Sequence, residues 1–290
     1  MIFGPELIIH RWQPAACLRV SGADALSFLQ GQCTNDLHQA ADGGATYGLW
    51  LNQKGKIVAD SFVRKVSPEE LWLVSYFSPA TVIQSRLEAY IVADDVVIED
   101  VTAATSGLTM WGAEPVAVPK APAWSFRGRR NRAPHSEIIF PASAESAVSA
   151  MLAGGVALST GEMERERIAA GIPAVPMDLG LADLPNEGGL ETEAASYTKG
   201  CYLGQEVMAR LKAMGQVRRR LLRVRGTGEP PPRPTALYQA ARKLGELRSA
   251  TRDGADWIGL AMLSLGSLRR DEGLALAADG APVVRLADEP

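Results

Sequence analysis

The chain has 290 residues, of which 47% are hydrophobic and 22% are charged, and such usage is typical of a globular protein rather than a disordered or fibrous one. Its 30 Lys and Arg residues and 33 Asp and Glu residues give a formal net charge of -3, which argues against general adhesion to nucleic acid or membranes but allows a local basic patch. The first residues lack the pattern of a secretory signal, and no apolar run is long enough to cross a bilayer. We therefore expect a cytoplasmic protein without membrane contact.

Cysteine usage agrees with that expectation. The three cysteines, Cys17, Cys33 and Cys201, are odd in number, widely spaced and outside any CxxC pattern. Neither a disulfide framework nor an autonomous metal site is indicated by such spacing. The sequence therefore predicts no resident metal and at least one thiol that is free of internal pairing.

Strand-like and helical segments alternate irregularly through the first 215 residues. Ser21 is expected to cap a helix that runs to Gln30, and Ser78 with Pro79 is expected to open a second amphipathic helix. The residues at 52–55, Asn-Gln-Lys-Gly, are suited to a hairpin turn between two strands. This order predicts an α+β domain with mostly antiparallel pairing.

The rest of the chain, residues 216–290, has a different character. Helix signals thin out, and short strand-like runs alternate with turns rich in Gly and Pro. The predicted strands lie at 220–224, 245–251, 257–263 and 282–286. A small antiparallel β-barrel domain fits this pattern.

The segment 167–210 contains the densest group of unusual residues. It has little regular periodicity, and its Cys, Tyr, Leu and Met side chains are poor material for disorder, so an ordered site is expected there. Glycines on both sides of Cys201-Tyr202-Leu203 favour an exposed thiol, and the ammonium of Lys199 would favour the thiolate, which attacks electrophiles or binds metal. A lone cysteine is equally often a small buried hydrophobe, so spacing alone leaves both interpretations open.

The run KGCYLGQE at 199–206 resembles the KGCYxGQE signature of the YgfZ family, which is related to the aminomethyltransferase of the glycine cleavage system. Similarity extends to RIAAGIPAVPMD, LPNEGGL and GQCTNDL, at 167–178, 184–190 and 31–37. The resemblance implies an aminomethyltransferase-like folate-binding domain over 1–215, followed by a β-barrel over 216–290. It also implies a tetrahydrofolate-binding accessory protein that supports maturation or repair of iron-sulfur enzymes, including enzymes that modify tRNA.

From the same resemblance, the partners are iron-sulfur client or assembly proteins, and the reactive centre is Cys201 with Lys199. Glu187 matches the residue that faces the pterin in relatives, and a carboxylate can accept two adjacent pterin N–H groups; the alternative is an exposed loop carboxylate. Arg167 could bind the carboxylates of the folate tail or pair with Glu164 on the same helix. Further candidate folate-binding residues are Asn35, Asp60 and Tyr202, with Tyr47, Trp50 and Tyr197 as possible aromatic walls.

Two other functions stay open. One is folate-dependent aminomethyl or methyl transfer, but transferase relatives carry two consecutive acidic residues where this chain has Ala59 and Asp60, which counts against it. The other is RNA binding through 210–225, which holds seven basic residues and no acidic one. The alternatives to RNA binding are a strand with a solvated basic face and a site for the folate tail.

Overall fold

The computed structural model describes residues 7–38, 44–111, 123–151, 155–215 and 217–287. The helices are α1 (Ala25–Gln32), α2 (Ala80–Glu88), α3 (Glu145–Met151), α4 (Thr160–Ala169) and α5 (Gln205–Met214). The first ten strands are β1 (Ile8–Trp12), β2 (Ala16–Ser21), β3 (Ala45–Leu51), β4 (Ile57–Ser67), β5 (Glu70–Ser75), β6 (Val97–Asp100), β7 (Thr105–Trp111), β8 (Trp124–Arg127), β9 (Ser136–Pro141) and β10 (Val156–Ala157). The last six are β11 (Arg219–Thr227), β12 (Thr235–Gln239), β13 (Arg242–Asp253), β14 (Asp256–Ser264), β15 (Leu274–Ala275) and β16 (Pro282–Leu286).

Strands β1 to β10 form two five-stranded sheets, in the orders β10-β1-β7-β9-β8 and β3-β4-β5-β2-β6. Neighbouring strands are antiparallel except for the short parallel pair of β1 and β10. Strands β11 to β16 form a closed antiparallel barrel in the order β11-β14-β13-β12-β15-β16. The predicted α+β class, with a β-barrel after it, is confirmed.

The sheet that contains β4 packs against other parts of the protein on both faces. Side chains alternate along a strand, so neighbouring residues of β4 contribute to different apolar clusters. On one face, Ala59 joins the apolar cluster that packs beneath α1 and α2. On the other face, Phe62 packs with Trp124 of the first sheet and with Leu179 and Tyr202 of the long segment between α4 and α5. That segment is therefore part of the main core.

Two predicted helix starts are wrong. Helix α1 begins at Ala25, one turn after the predicted cap, because Ser21 is the last residue of β2. The N-cap of α2 is Pro79, and no side-chain hydrogen bond caps this helix. The hydroxyl of Ser78 instead donates to Asp60 at 2.7 Å. In both cases a tertiary or strand contact uses the serine that local sequence would give to the helix.

Helix α5 lies partly inside the segment that the sequence analysis treated as irregular. Its N-cap is Gly204, whose φ of 87° is a left-handed conformation. A side chain on Gly204 would meet the carbonyl oxygen of Asn52 at 3.0 Å. The glycine thus allows α5 to begin directly against the turn of the β3–β4 hairpin, whose Asn52 side chain accepts from the amides of Lys54 and Lys56.

The barrel has its own apolar core, which includes Leu247, Trp257 and Leu263. The domain boundary predicted after residue 215 falls between α5 and β11. Two side chains of β13 connect the barrel to the preceding segment, since Ser249 accepts from Arg167 at 2.9 Å and Arg248 pairs with Asp183. Among the described residues, no helix is long and apolar enough to span a membrane.

Candidate functional site

The three cysteines differ in exposure. Cys17 and Cys33 are buried, whereas Cys201 is exposed. Burial raises the pKa of both buried thiols to about 11, so they stay protonated at neutral pH. Cys201 is therefore the only thiol of the three that an electrophile, a metal or a partner protein can reach without opening the core.

Lys199 anchors the loop that carries this thiol, residues 199–202, which we call the thiol loop. Its Nζ donates to the carbonyl oxygens of Gln30, Cys33 and Asn35 at 2.6, 2.8 and 2.9 Å. These carbonyls lie at the C-terminal end of α1, where the last turn leaves oxygens without partners and a cation is favoured. Lys199 is buried, and desolvation lowers its pKa. The ammonium is thus hydrogen-bonded to the end of α1, and its role as the cation that activates Cys201 stays a prediction.

Tyr202 holds the same loop from the other side of the thiol. It is 6% exposed and belongs to the main core, and the Lys199 nitrogen lies 5.3 Å from its ring centre. Burial raises the pKa of its hydroxyl to about 12. The exposed pair Gly200-Cys201 therefore projects between two buried anchors, and Tyr202 lines neither of the two cavities described below.

Asn35 also has an internal role. Its side-chain amide donates to the carbonyl oxygen of Tyr47 at 2.9 Å and to that of Glu193 at 3.1 Å. It therefore ties strand β3 to the segment before the thiol loop. The structure brings Asn35 and Lys199 together, but it does so around α1 rather than around an open ligand pocket.

Glu187 lies on a short 3-10 helix, Pro185–Gly188, and its carboxylate is fully engaged. Oε1 accepts from Arg219 Nε at 2.9 Å, and Oε2 accepts from Arg219 Nη2 at 2.9 Å and from the Leu184 amide at 2.8 Å. This bidentate pair connects the segment to the first barrel strand. A pterin would have to displace Arg219 to reach the carboxylate, so the pterin contact stays a prediction.

Arg167 is equally engaged. Its guanidinium pairs with Glu164 at 2.6 Å and with Asp178 at 2.7 Å, and it donates to the Ile172 carbonyl and to Ser249. Of the two interpretations left open for Arg167, the structure shows the pair with Glu164. The side chain is 3% exposed and serves to join α4, the following segment and the barrel.

Asp60 lies in a small buried polar cluster. Its carboxylate accepts from the hydroxyls of Tyr47, Ser75 and Ser78 at 2.7 to 2.9 Å, and burial raises its pKa. Together with Arg129 it lines a cavity of about 40 Å³, which has room for water but not for a folate ring. Ala59 faces the opposite side of β4, so an acidic residue there would not share this cavity.

A larger cavity of about 620 Å³ lies where the first sheet, the segment after α4 and the barrel meet. Six arginines line it, against one carboxylate, that of Glu193; they are Arg127, Arg129, Arg132, Arg220, Arg223 and Arg270. Nε of Arg129 lies 2.8 Å from a Glu193 oxygen, and Arg132 donates to the Ala170 carbonyl. The excess of positive charge suits an anionic ligand.

The sequence analysis missed this arginine-lined cavity. Part of its signal lies in the short basic run RGRRNR at 127–132. The basic side chains of the run at 210–225 have several different roles. Arg219 pairs with Glu187, Arg220 and Arg223 line the cavity, and Lys212 packs over the ring of Tyr197 at 4.1 Å. Much of the run is therefore used inside the fold.

In the part of the chain that the structure describes, no group of three or more His, Cys, Asp or Glu side chains is arranged to hold a metal ion.

Comparison with protein families gives two matches. The GCVT N-terminal domain matches residues 13–121, and the CAF17 C-terminal beta-barrel domain matches residues 218–287. The second match coincides with the barrel strands β11 to β16.

Comparison with individual proteins gives consistent results. The chain is 30% identical over 275 residues to the human mitochondrial iron-sulfur cluster assembly factor IBA57, covering 85% of this chain and 74% of the relative. It is 27% identical over 266 residues to the IBA57 homologue of Mycosarcoma maydis, covering 80% of this chain and 62% of that relative. The solved aminomethyltransferase T of the glycine cleavage system from Bartonella henselae has the same fold, with a TM-score of 0.81, 14% identity, and coverage of 98% of this chain and 86% of that one.

Proposed function

The chain belongs to the family of the iron-sulfur cluster assembly factor IBA57, and on that premise we propose that it supports assembly or repair of iron-sulfur proteins through the thiol of Cys201. We propose further that tetrahydrofolate binds in the arginine-lined cavity. The finer assignment to the YgfZ branch, a cytoplasmic location and clients that modify tRNA are parts of the same proposal, and the two relatives above are mitochondrial proteins.

The observation that carries the thiol proposal is the construction of its loop. Lys199 and Tyr202 are buried, while Cys201 between them is exposed. A thiolate is both the nucleophile and the preferred ligand for iron-sulfur clusters. A fixed loop presents the sulfur to a partner without the entropy cost of ordering a flexible segment.

The test replaces Cys201 with serine, which nearly preserves the shape but removes the soft ligand. We expect Cys201→Ser to fold like the wild type and to fail to restore iron-sulfur enzyme activity in cells that lack the native protein. Cys17→Ala is the matched control, because Cys17 is buried, and it should restore activity wherever it folds. Full restoration by Cys201→Ser would contradict the thiol proposal.

The support for folate is the match between ligand charge and cavity lining. Folate carries carboxylates on its tail, and arginine is the side chain that best binds carboxylates. A volume of about 620 Å³ lies in the range of ordinary small-molecule sites. The six arginines on the lining would hold the tail, while the walls at Leu190, Leu221 and Leu222 are apolar.

The folate test uses Arg132, which lines this cavity and not the small one beside Asp60. Losing one charge-assisted hydrogen bond costs about 1.5–3 kcal/mol, so Arg132→Gln should weaken tetrahydrofolate binding about tenfold or more in calorimetry. Arg210→Gln is the matched control, because Arg210 is exposed on α5 and lines neither cavity. If the wild type, Arg132→Gln and Arg210→Gln all bound tetrahydrofolate with equal affinity, the proposal that folate binds in this cavity would be refuted.

Transferase activity is the second candidate function, and the structure changes which residue argues against it. Ala59 no longer weighs against transfer, because position 59 faces the α1 and α2 side of β4. What weighs against it is the enclosure of Asp60 by three hydroxyls beside a cavity of about 40 Å³. An acid or base for transfer must reach the reacting carbon. Turnover of tetrahydrofolate with an aminomethyl donor would support the transferase instead.

A further inference from the structure

Residues 176–182, which we call the apolar segment, present an apolar surface to solvent. The exposed residues of this segment are all apolar: Pro176, Met177, Leu181 and Ala182. Leu181 is 68% exposed and Met177 is 52% exposed. The charged residue of the segment, Asp178, is buried and pairs with Arg167 at 2.7 Å. Single exposed apolar side chains are common, but a contiguous group of them, with the charge turned inward, marks an interaction surface.

The apolar segment lies against the turn of the β3–β4 hairpin. Nζ of Lys56 donates to the carbonyl oxygen of Ala182 at 3.0 Å. The same turn contacts the N-terminal end of α5, because a side chain on Gly204 would meet the Cα atom of Gly55 at 3.2 Å. Cys201 lies three residues before Gly204, a span of at most about 11 Å. The apolar segment and the exposed thiol therefore lie beside one hairpin turn, where a single partner can contact both.

The charges around this turn favour an acidic partner. Lys54 in the turn and Arg210 on α5 are exposed, and neither forms an ion pair with another described residue. Arg210 lies one helical turn after Val207, whose side chain packs against the hairpin turn. Lys56 donates to a carbonyl oxygen rather than to a carboxylate, and the acidic residue of α5 is Glu206. Three cations against one carboxylate leave an excess of positive charge, which attracts carboxylates on a partner.

We propose that the apolar segment is the docking site of a protein partner whose surface presents apolar side chains rimmed by carboxylates, and that docking there brings this partner to the thiol of Cys201. The inference rests on the proposed function, in which a partner must reach that thiol. An apolar centre with a charged rim is the usual composition of a protein interface, and a methionine adapts its shape to the surface that it meets. RNA would need the cations but not Met177 and Leu181, so the apolar segment favours a protein.

The first test measures iron-sulfur enzyme activity in cells that lack the native protein and express a variant. Leu181→Glu should lower the restored activity about tenfold or more, while the urea midpoint and the rate at which iodoacetamide alkylates Cys201 stay at their wild-type values. Leu181→Lys should lose less activity, because its ammonium attracts the acidic rim that a carboxylate repels. Met177→Glu should act like Leu181→Glu. Val92→Glu is the matched control, because Val92 is 91% exposed and lies after α2, and it should restore full activity.

The second test identifies the occupant by photo-crosslinking in the same cells, with p-benzoylphenylalanine at position 181 or at position 92. We expect position 181 to link to an acidic protein and position 92 not to link to it. A bismaleimide should join the same protein to Cys201. A link to a second copy of this chain, an adduct that a nuclease degrades, or no adduct at position 181 would each overturn the proposal.

Full restoration of activity by Leu181→Glu, or equal losses in Leu181→Glu and Leu181→Lys, would also overturn it. Cys201→Ser reports on the proposed function separately. If Cys201→Ser restored activity and Leu181→Glu did not, the thiol proposal would fail and the docking site would stand. If Leu181→Glu restored activity and Cys201→Ser did not, the docking site would fail and the thiol proposal would stand.

Discussion

Replacing Lys199 with methionine separates the structural role of this lysine from the one that its sequence position suggests. Methionine preserves most of the apolar side chain and removes the ammonium. The carbonyl oxygens of Gln30, Cys33 and Asn35 then lose a charged donor that lies 2.6 to 2.9 Å away. The side chain is 8% exposed, so solvent replaces that donor incompletely.

The magnitude follows from these contacts. A hydrogen bond to a charged group contributes about 1.5–3 kcal/mol to stability. The variant should lose less than the sum of three such bonds, because burying methionine avoids the cost of burying the ammonium. We therefore expect Lys199→Met to lower the free energy of unfolding by about 3–4 kcal/mol. The loss should affect the register of the thiol loop against α1 first.

Urea unfolding measures the effect through the midpoint and its slope, and alkylation of Cys201 in the native protein reports the state of the loop. Lys212→Met is the matched control. The Lys212 side chain is exposed, and its ammonium lies 4.1 Å from the ring centre of Tyr197, so its loss should lower the free energy of unfolding by less than about 1 kcal/mol. If Lys199→Met kept full stability and only slowed alkylation of Cys201, the anchoring role would be refuted and the activating cation restored.

Two further predictions concern buried charge. The pKa of His135 is lowered to about 4, chiefly by burial, although the hydrogen bond from Nδ1 to the Ala133 carbonyl opposes this shift; Nε2 accepts from the Arg130 amide. The unfolded state binds the proton more readily, so stability should be full above pH 6.5 and fall by about 3 kcal/mol as the pH drops towards 4. His135→Gln should flatten that part of a pH series of urea midpoints, and an unchanged slope would exclude His135 as its source. Glu187→Gln should cost about 1–2 kcal/mol of unfolding free energy by breaking the pair with Arg219, and a stability equal to that of wild type would contradict this role.

The sequence located the thiol loop because its signal is local. Glycines beside Cys201 and a specific run of neighbours lie within eight residues, and exposure followed from them. The partners of Lys199 could not be predicted in that way, because the nearest contact, with Gln30, spans 169 positions in the chain. Proximity in sequence places Lys199 next to Cys201, whereas only the tertiary structure shows that its nitrogen binds carbonyl oxygens at a helix terminus.

The fold class and the barrel were predictable for a similar reason, since strand runs and turn residues are short-range patterns. The arginine-lined cavity was not predictable, because its lining comes from residues 127–129, 131–133, 170–173, 188–190, 193, 220–223, 270 and 286–287. Glu187 shows the same limit within one motif. Its position in LPNEGGL suggested a ligand contact, but the complementary charge of Arg219 lies on a barrel strand 32 residues later.

The stoichiometry of cluster binding sets a limit on what the thiol of Cys201 can do. A [2Fe-2S] or [4Fe-4S] cluster is held by four protein ligands, usually thiolates. Cys17 and Cys33 are buried, and the described residues contain no group of three or more ligating side chains. Under the proposed function, Cys201 would therefore supply one ligand, and a partner protein would supply the others. A loop fixed by Lys199 and Tyr202 suits that task, because a shared cluster requires the sulfur to meet ligands that another surface has already positioned.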